Sequence, residues 1–131
     1  MPVSVGDSRE LVIVDDLTRT QIVQYAGASG DYNPLHSDEP YATKVAGFPS
    51  VFAHGMLTMG MTGRLLTDWF GDEALVRYGV RFLAQVWPGD VLTAAAEVMS
   101  IVDGVADVAV VTSNQDGIPV LSGSAAVRVS A

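Results

Sequence analysis

The feature that most constrains the fold is one long apolar helix pattern followed by a run of strand patterns. Residues 54–70 repeat apolar side chains with helical spacing, and Gly71 is suited to the position just after a helix. Four segments with strand-like patterns follow, at 76–86, 92–102, 105–113 and 120–129. This order predicts an α+β fold in which the long helix packs on one face of an antiparallel sheet.

The turns between these segments also carry clear signals. Pro88-Gly89-Asp90 precedes the second strand, and Asp103-Gly104 and Asp116-Gly117 separate the later ones. Asp-Gly between apolar alternating runs is a strong hairpin signal. Within the long helix, Gly60 and Gly63 cost about 1 kcal/mol each relative to alanine. We therefore expect another element to press closely against that face of the helix.

The first half of the chain predicts one strand, one short helix and a long irregular segment. Residues 9–14 form a short apolar run. Thr18, followed by Gln21 three residues later, predicts a capping box at the start of a helix that runs to Ala28 and is ended by Gly27 and Gly30. A short helical turn is expected at 40–44, with loops before and after it.

Composition limits the partners. The 131 residues carry 15 acidic and 7 basic side chains, a net charge of -8, and we treat 1–131 as a single domain. Without a basic cluster, the chain is not expected to bind nucleic acid.

The chain contains no cysteine, so disulfides and thiolate chemistry are excluded. The hydrophobic fraction of 49% is high for so small a domain, and predicts apolar surface buried in an oligomer.

A membrane location is not expected. The longest uncharged stretch, 45–63, approaches the length of a spanning helix but contains Pro49, His54 and four glycines. The first residues, MPVSVGDSRE, lack the basic and apolar regions of a signal peptide. We expect the protein to be cytoplasmic.

The two histidines draw attention to the irregular segment. His36 follows Asp31 by five residues, and Pro34 between them prevents regular helix, so a loop presents both side chains. An imidazole beside a carboxylate is suited to proton transfer near neutral pH. Alternatively, Asp31 caps the next turn and His36 is a structural hydrogen-bonding residue. Spacing alone does not decide between these readings.

The second histidine opens the long helix. His54-Gly55 lies at the helix start, where unpaired backbone N–H groups carry partial positive charge. The Gly55 N–H is therefore a candidate donor to a ligand carbonyl. The alternative is that Gly55 only allows the chain to turn tightly into the helix and that His54 makes a local hydrogen bond. No familiar metal-ligand spacing links His36, His54 and nearby carboxylates, so no metal is expected.

Two segments resemble a known family. The stretch YAGASGDYNPLHSD, from Tyr25 to Asp38, and the stretch AHGML, from Ala53 to Leu57, are similar to the motifs of the MaoC-like hydratase and dehydratase family. The strand around 78–82 resembles the start of that family's sheet. AHGMLTMG, with WFGD after it, is especially similar to the catalytic subunits of two-chain (3R)-hydroxyacyl-ACP dehydratases.

The resemblance implies a hot-dog fold, a long buried helix wrapped by a curved antiparallel sheet, with a site at a dimer interface. It implies reversible hydration of trans-2-enoyl thioesters to (3R)-hydroxyacyl thioesters. Asp31 and His36 are then the catalytic pair, Gly55 binds the thioester carbonyl, and Asn33 and His54 support the site. Either member of the pair can be the base. The substrate is an acyl-CoA or acyl-ACP thioester, and no cofactor or metal is required.

One departure from the family's pattern bears on the site. Some carry a supporting serine on the long helix where this chain has Gly63, and Thr58 and Thr62 are the hydroxyl residues that can substitute for it.

Two alternatives follow from the same resemblance. The chain can be a subunit of a heterodimeric dehydratase that needs a partner chain, or a silent subunit, although a silent subunit has no need of both Asp31 and His36. It can also be a hot-dog thioesterase, whose chemistry usually requires a carboxylate on or near the long helix. Residues 56–66 contain none, and Asp68 comes only near the helix end. A homodimeric hydratase is the expected reading.

Overall fold

The computed structural model describes residues 2–129, which form two helices and five strands. The helices are α1 (Arg19–Ser29) and α2 (Gly55–Phe70). The strands are β1 (Ser8–Val14), β2 (Leu75–Phe82), β3 (Leu92–Val102), β4 (Val105–Ser113) and β5 (Pro119–Arg128). Between the helices lie a 3-10 turn, Pro34–His36, and a short π-helical turn, Tyr41–Val45.

The five strands form one antiparallel sheet in the order β1-β3-β4-β5-β2. Helix α2 packs against this sheet, which confirms the predicted α+β arrangement. The helix contributes Leu65 and Leu66 to the core, and the sheet contributes mainly alternate valines and alanines, among them Ala94, Ala96, Val98, Val108, Val110 and Val127. Strands β1 and β2 form the two edges of the sheet.

Helix α1 begins and ends as its sequence predicts. The Gln21 N–H donates to Thr18 Oγ1 at 3.0 Å, and the Thr18 N–H donates to Gln21 Oε1 at 2.9 Å, which is the capping box. Gly30 ends the helix with φ of 75°, in the left-handed region that glycine favours. Gly27, expected to help end the helix, lies inside it instead.

Strand β2 is shorter than its alternating pattern predicts, because it ends at Phe82 and not at Val86. The N–H groups of Leu83 and Ala84 both point to the Val120 carbonyl, at 2.8 and 3.4 Å, so the regular ladder stops there. Val86 is buried, and its carbonyl accepts a bond from the Ala53 N–H at 2.8 Å. Residues 83–86 thus leave the sheet to hold the segment that enters α2.

The two glycines inside α2 have different surroundings. A Cβ on Gly63 would lie 3.3 Å from Cε2 of Tyr78 on β2, whereas a Cβ on Gly60 would meet nothing within 4 Å. The Tyr78 hydroxyl donates to the Met59 carbonyl at 2.7 Å, and burial raises the pKa of Tyr78 to about 12. The expected close approach is therefore correct at Gly63 and wrong at Gly60.

Within residues 2–129, no helix is both long enough and apolar enough to cross a membrane. The cytoplasmic location and the single-domain extent of 1–131 stay predictions.

Candidate active site

The loop that carries Asp31 and His36 is built by its own short polar side chains. Asp31 Oδ1 accepts from the Asn33 N–H at 3.3 Å, and Asn33 Oδ1 accepts from the Leu35 N–H at 3.0 Å. Asn33 thereby caps the 3-10 turn. Pro34 is the first residue of this turn and His36 is the last. The loop thus holds Asp31, which is exposed, and His36, which is half-buried, on either side of one tight turn.

His36 is oriented by the segment that precedes α2. Its Nδ1 lies 2.6 Å from the carbonyl oxygen of Phe52. A carbonyl only accepts, so Nδ1 carries the proton and Nε2 keeps an unprotonated lone pair in the neutral ring. The Phe52 ring meets the His36 ring edge-on, with centroids 5.2 Å apart. This partner was not foreseen, because no sequence pattern relates His36 to a carbonyl 16 residues away.

His54 joins the loop to α2. It is the N-cap residue of the helix, and only 2% of its surface is exposed. Its Nε2 lies 3.0 Å from the Asp31 carbonyl oxygen, and its ring stacks on His36 with a centroid distance of 3.8 Å and an interplanar angle of 25°. The Tyr25 ring of α1 packs edge-on against it at 4.9 Å. Three parts of the chain therefore meet at this one ring.

The surroundings of His36 favour its neutral form. Burial is the largest influence and lowers the pKa of His36 below its ordinary value of 6.5, and the neighbouring His54 acts in the same direction. The hydrogen bond to the Phe52 carbonyl and the charge of Asp31 oppose this shift. At neutral pH the ring is consequently uncharged, with a free lone pair on Nε2 beside an exposed carboxylate.

The same three residues have the composition of a metal site but not its geometry. Asp31, His36 and His54 each offer a ligand atom, and these atoms lie within 4.8 Å of one another. The lone pair of an imidazole lies in the ring plane, so two rings that share one ion cannot be stacked nearly parallel. One nitrogen of each ring is bonded to a backbone carbonyl, so each ring has only its other nitrogen left as a ligand atom. The arrangement is better suited to proton transfer than to holding a cation.

Gly55 is the first residue of α2 and borders an open cavity of about 300 Å³. A Cβ at this position would lie 3.0 Å from two carbons of the Phe82 ring, so a side chain would displace that ring. The cavity is lined by Phe52, Ala53, Gly55, Thr58, Phe82 and Val120, among others. Asp31, His36 and His54 are not among the lining residues; Phe52, which bonds His36, and Ala53 and Gly55, which flank His54, connect the cluster to the cavity.

Two buried threonines lie one turn apart on α2 and have different partners. Thr62 Oγ1 lies 2.6 Å from Thr112 Oγ1 on β4, a contact inside the core. Thr58 lines the cavity. Among the residues that the structure describes, Thr58 Oγ1 has no hydrogen-bond partner, although it is buried. Thr62, then, supports the packing of the helix on the sheet, whereas Thr58 borders the cavity while its own Oγ1 is fully buried.

A long helix against a five-stranded antiparallel sheet, with solved structures of the same shape, defines a domain of the hot-dog class, as expected from the resemblance. The MaoC-like domain family matches residues 2–117, and the chain belongs to this family. The chain is 39% identical over 83 residues to 3-hydroxyacyl-thioester dehydratase Y of Mycobacterium tuberculosis, covering 61% of this chain and 29% of the relative.

Two solved structures extend the similarity to nearly the whole chain. R-hydratase PhaJ1 of Pseudomonas aeruginosa superposes with a TM-score of 0.88 at 26% identity, covering 97% of this chain and 82% of the other. One chain of the ChsH1-ChsH2 complex of Mycobacterium tuberculosis superposes with a TM-score of 0.84 at 26% identity, covering 97% of this chain and 98% of the other. The chain spans only about a third of the length of the curated relatives it matches first.

Proposed function

We propose that this protein catalyses the reversible hydration of trans-2-enoyl thioesters to (3R)-hydroxyacyl thioesters, with Asp31 and His36 as the catalytic pair. One observation carries the proposal: an exposed carboxylate and an uncharged imidazole stand together beside the N-terminus of a helix and a cavity. Membership of the MaoC-like family and similarity to an R-hydratase and a hydroxyacyl-thioester dehydratase support the same reaction.

The proposed roles follow from the hydrogen bonds. His36 Nε2, unprotonated because Nδ1 bonds the Phe52 carbonyl, takes a proton from water as the water oxygen bonds C3. Asp31 accepts the second water hydrogen and holds the water against C3. The proton on Nε2 then passes to C2 and restores the neutral ring. One O–H bond of water and the C2=C3 π bond break, one C–O and one C–H bond form, and the reverse sequence dehydrates the product.

The substrate carbonyl is assigned to the N-terminus of α2. During addition to C3, negative charge develops on the thioester oxygen. The Gly55 N–H is one of the helix-start donors without an intrahelical acceptor, and the helix dipole adds to its effect. An acyl group bound here continues into the cavity that Gly55 borders. The reaction requires no metal or cofactor, and His54 and Asn33 act only by positioning the catalytic loop.

We also propose that the working unit is a homodimer joined through β2 and that the substrate is a CoA or ACP thioester. Strand β2 is hydrogen-bonded only to β5, so its other edge is unpaired within the part of the chain described. Val76, Phe82 and Leu83 on or beside this edge are about half exposed in the single chain. A second copy that pairs with β2 would cover apolar surface next to Gly55.

Two substitutions test the reaction. Asp31→Asn and His36→Ala should each lower kcat for crotonyl-CoA hydration by about 100-fold or more, the scale expected for a lost general acid–base group. Asp38→Asn is the matched control in the same loop, because Asp38 only accepts a bond from the Tyr41 N–H and asparagine retains that acceptor.

Loss of enoyl absorbance and chiral analysis of the product give the readout, with circular dichroism to verify folding. Wild-type rates in folded Asp31→Asn and His36→Ala would contradict the assigned pair. Release of free thiol in place of hydration would identify a thioesterase. Hydration that appears only after a different subunit is added would replace the homodimer by a heterodimer.

A further inference from the structure

The ring of Phe82 lies against the first residue of α2, where the thioester carbonyl is assigned. A Cβ built on Gly55 would lie 3.0 Å from Cε1 and Cζ of Phe82 and 3.1 Å from Cδ1, so the three nearest atoms all belong to this one ring. Both residues line the same cavity, and Phe82 is 48% exposed. The ring therefore occupies the space that a side chain at position 55 would take, and it is accessible to a ligand in the cavity.

The backbone of Phe82 is held by the sheet. Phe82 is the last residue of β2 and pairs with Leu121 of β5, which is buried. The next residue, Leu83, donates its N–H to the Val120 carbonyl at 2.8 Å. All of these contacts lie within one chain, so the ring is positioned beside Gly55 without any contribution from a second copy.

This contact places the ring beside one particular part of an acyl thioester. A carbonyl oxygen that accepts from the Gly55 N–H would lie about 2.9 Å from that nitrogen. The Cβ position of a residue is two bonds from its nitrogen, so the bound carbonyl and the Phe82 ring would be neighbours at the helix start. Because C2 is the only acyl carbon bonded to the carbonyl carbon, a branch at C2 is the acyl substituent that would come nearest to the ring.

We propose that Phe82 is a specificity-determining residue, whose ring excludes enoyl thioesters that carry a branch at C2. The inference rests on the proposed hydration of enoyl thioesters, with the carbonyl bound at Gly55. An unbranched substrate has only hydrogen at C2 and fits beside the ring, whereas a 2-methyl group would press on it. One methyl group in a closely packed pocket changes kcat/KM by about 10- to 200-fold.

Phe82→Leu tests this, because leucine is apolar but has no atoms in place of Cε1 and Cζ, the two ring atoms nearest to Gly55. The substrates are crotonyl-CoA and (2E)-2-methylbutenoyl-CoA, and the readout is the ratio of kcat/KM for the branched substrate to that for the unbranched one. Both substrates are measured on one preparation of each variant, so any loss of active enzyme cancels in this ratio. Phe82→Leu should raise the ratio about 10-fold or more above that of the wild type, and Phe82→Ala should raise it at least as far.

Leu83→Ala is the matched control. Leu83 is the next residue, lines the same cavity and is also about half exposed, but it contributes none of the three atoms nearest to a Gly55 Cβ. It should leave the substrate ratio unchanged. If Phe82→Leu changes kcat/KM for both substrates by the same factor, or if Leu83→Ala raises the ratio equally, the Phe82 ring does not act on C2 and the proposal fails. Absence of hydration by the wild-type enzyme on both substrates would instead reject the proposed function itself.

Discussion

In the proposed mechanism, His36 makes the activity depend on pH in a direction that its surroundings determine. Burial lowers the pKa of His36 below 6.5, and the groups that face it are Asp31, His54 and the Phe52 carbonyl. If the neutral ring is the base, kcat/KM should decline as pH falls through the lowered pKa of His36, so the acid limb of the profile should be centred below pH 6.5. A pH–rate profile measured with crotonyl-CoA tests this.

The same shift has a consequence for stability. The unfolded chain binds a proton at His36 near pH 6.5, while the folded chain binds it only at lower pH. The free energy of unfolding should therefore decrease as pH falls from 6.5 through the folded pKa, and this contribution should disappear in His36→Phe. An acid limb of kcat/KM centred above 6.5 would contradict the expected direction of the shift.

His54 is expected to act as a positioning residue. His54→Phe retains a stacked ring but loses the hydrogen bond to the Asp31 carbonyl and the electrostatic effect on His36. We expect kcat to fall by about 10-fold or more, because small displacements of a catalytic group are costly. We also expect the acid limb of the pH profile to move to higher pH.

His54→Gln supplies the matched comparison, since its amide retains an N–H donor. It should recover part of the rate but not the position of the acid limb. An unchanged acid limb in His54→Phe would show that His54 does not influence the ionisation of His36.

The types of the site residues could be predicted from the sequence, but the contacts between them could not. The motifs around Asp31, His36 and Gly55 marked a site, because each stands at a helix end or a proline-broken loop. The roles themselves stay predictions. The stacked histidines and the Phe52 carbonyl depend on tertiary packing between segments 16 to 23 residues apart, for which a single sequence has no signal.

Two glycines of helix α2 allow the effect of helix propensity on stability to be measured apart from the effect of packing. Gly60→Ala should stabilise the protein by up to about 1 kcal/mol, because the new methyl group meets nothing within 4 Å. Gly63→Ala should gain less or destabilise, because its methyl group would press on Tyr78, whose hydroxyl is bonded to the Met59 carbonyl. Urea unfolding of the two variants compares them, and a larger gain for Gly63→Ala would contradict the packing argument.

The elements themselves were largely predictable. Strands β3 and β4 have the predicted bounds, and Asp103 and Gly104 between them both have positive φ, 53° and 76°, as a two-residue hairpin requires. The error in β2 has a physical cause. Residues 83–86 continue the alternating pattern, but their backbone hydrogen bonds go to Val120 and to the segment before α2. The alternation of side chains gives no information about where these backbone bonds go.

For the molecule as a whole, two valines test the proposed dimer through β2. Val76 lies on the β2 edge and Val12 on the β1 edge, and each is 52% exposed. If dimers form through β2, Val76→Lys should convert the protein to monomers and lower hydration activity, because like charges from two copies would meet. Val12→Lys should do neither. Light scattering and sedimentation measure the mass, and dissociation by Val12→Lys alone would assign the interface to the opposite edge.

Neither the strand order β1-β3-β4-β5-β2 nor the free edge of β2 was readable from the sequence, because turn signals fix only hairpin neighbours. The apolar fraction of 49% indicated buried surface without saying where it lies.

Two adjacent residues, His54 and Gly55, connect α2 to both sides of the proposed chemistry. One bonds the carbonyl of Asp31, and the other is the proposed anchor for the thioester oxygen. A small rigid displacement of the helix would move both together. Because His54 is bonded to the Asp31 carbonyl, we expect the loop and Gly55 to shift together when the helix moves against the sheet, so that a substitution deep in the core alters stability more than the spacing between Asp31 and the proposed carbonyl site.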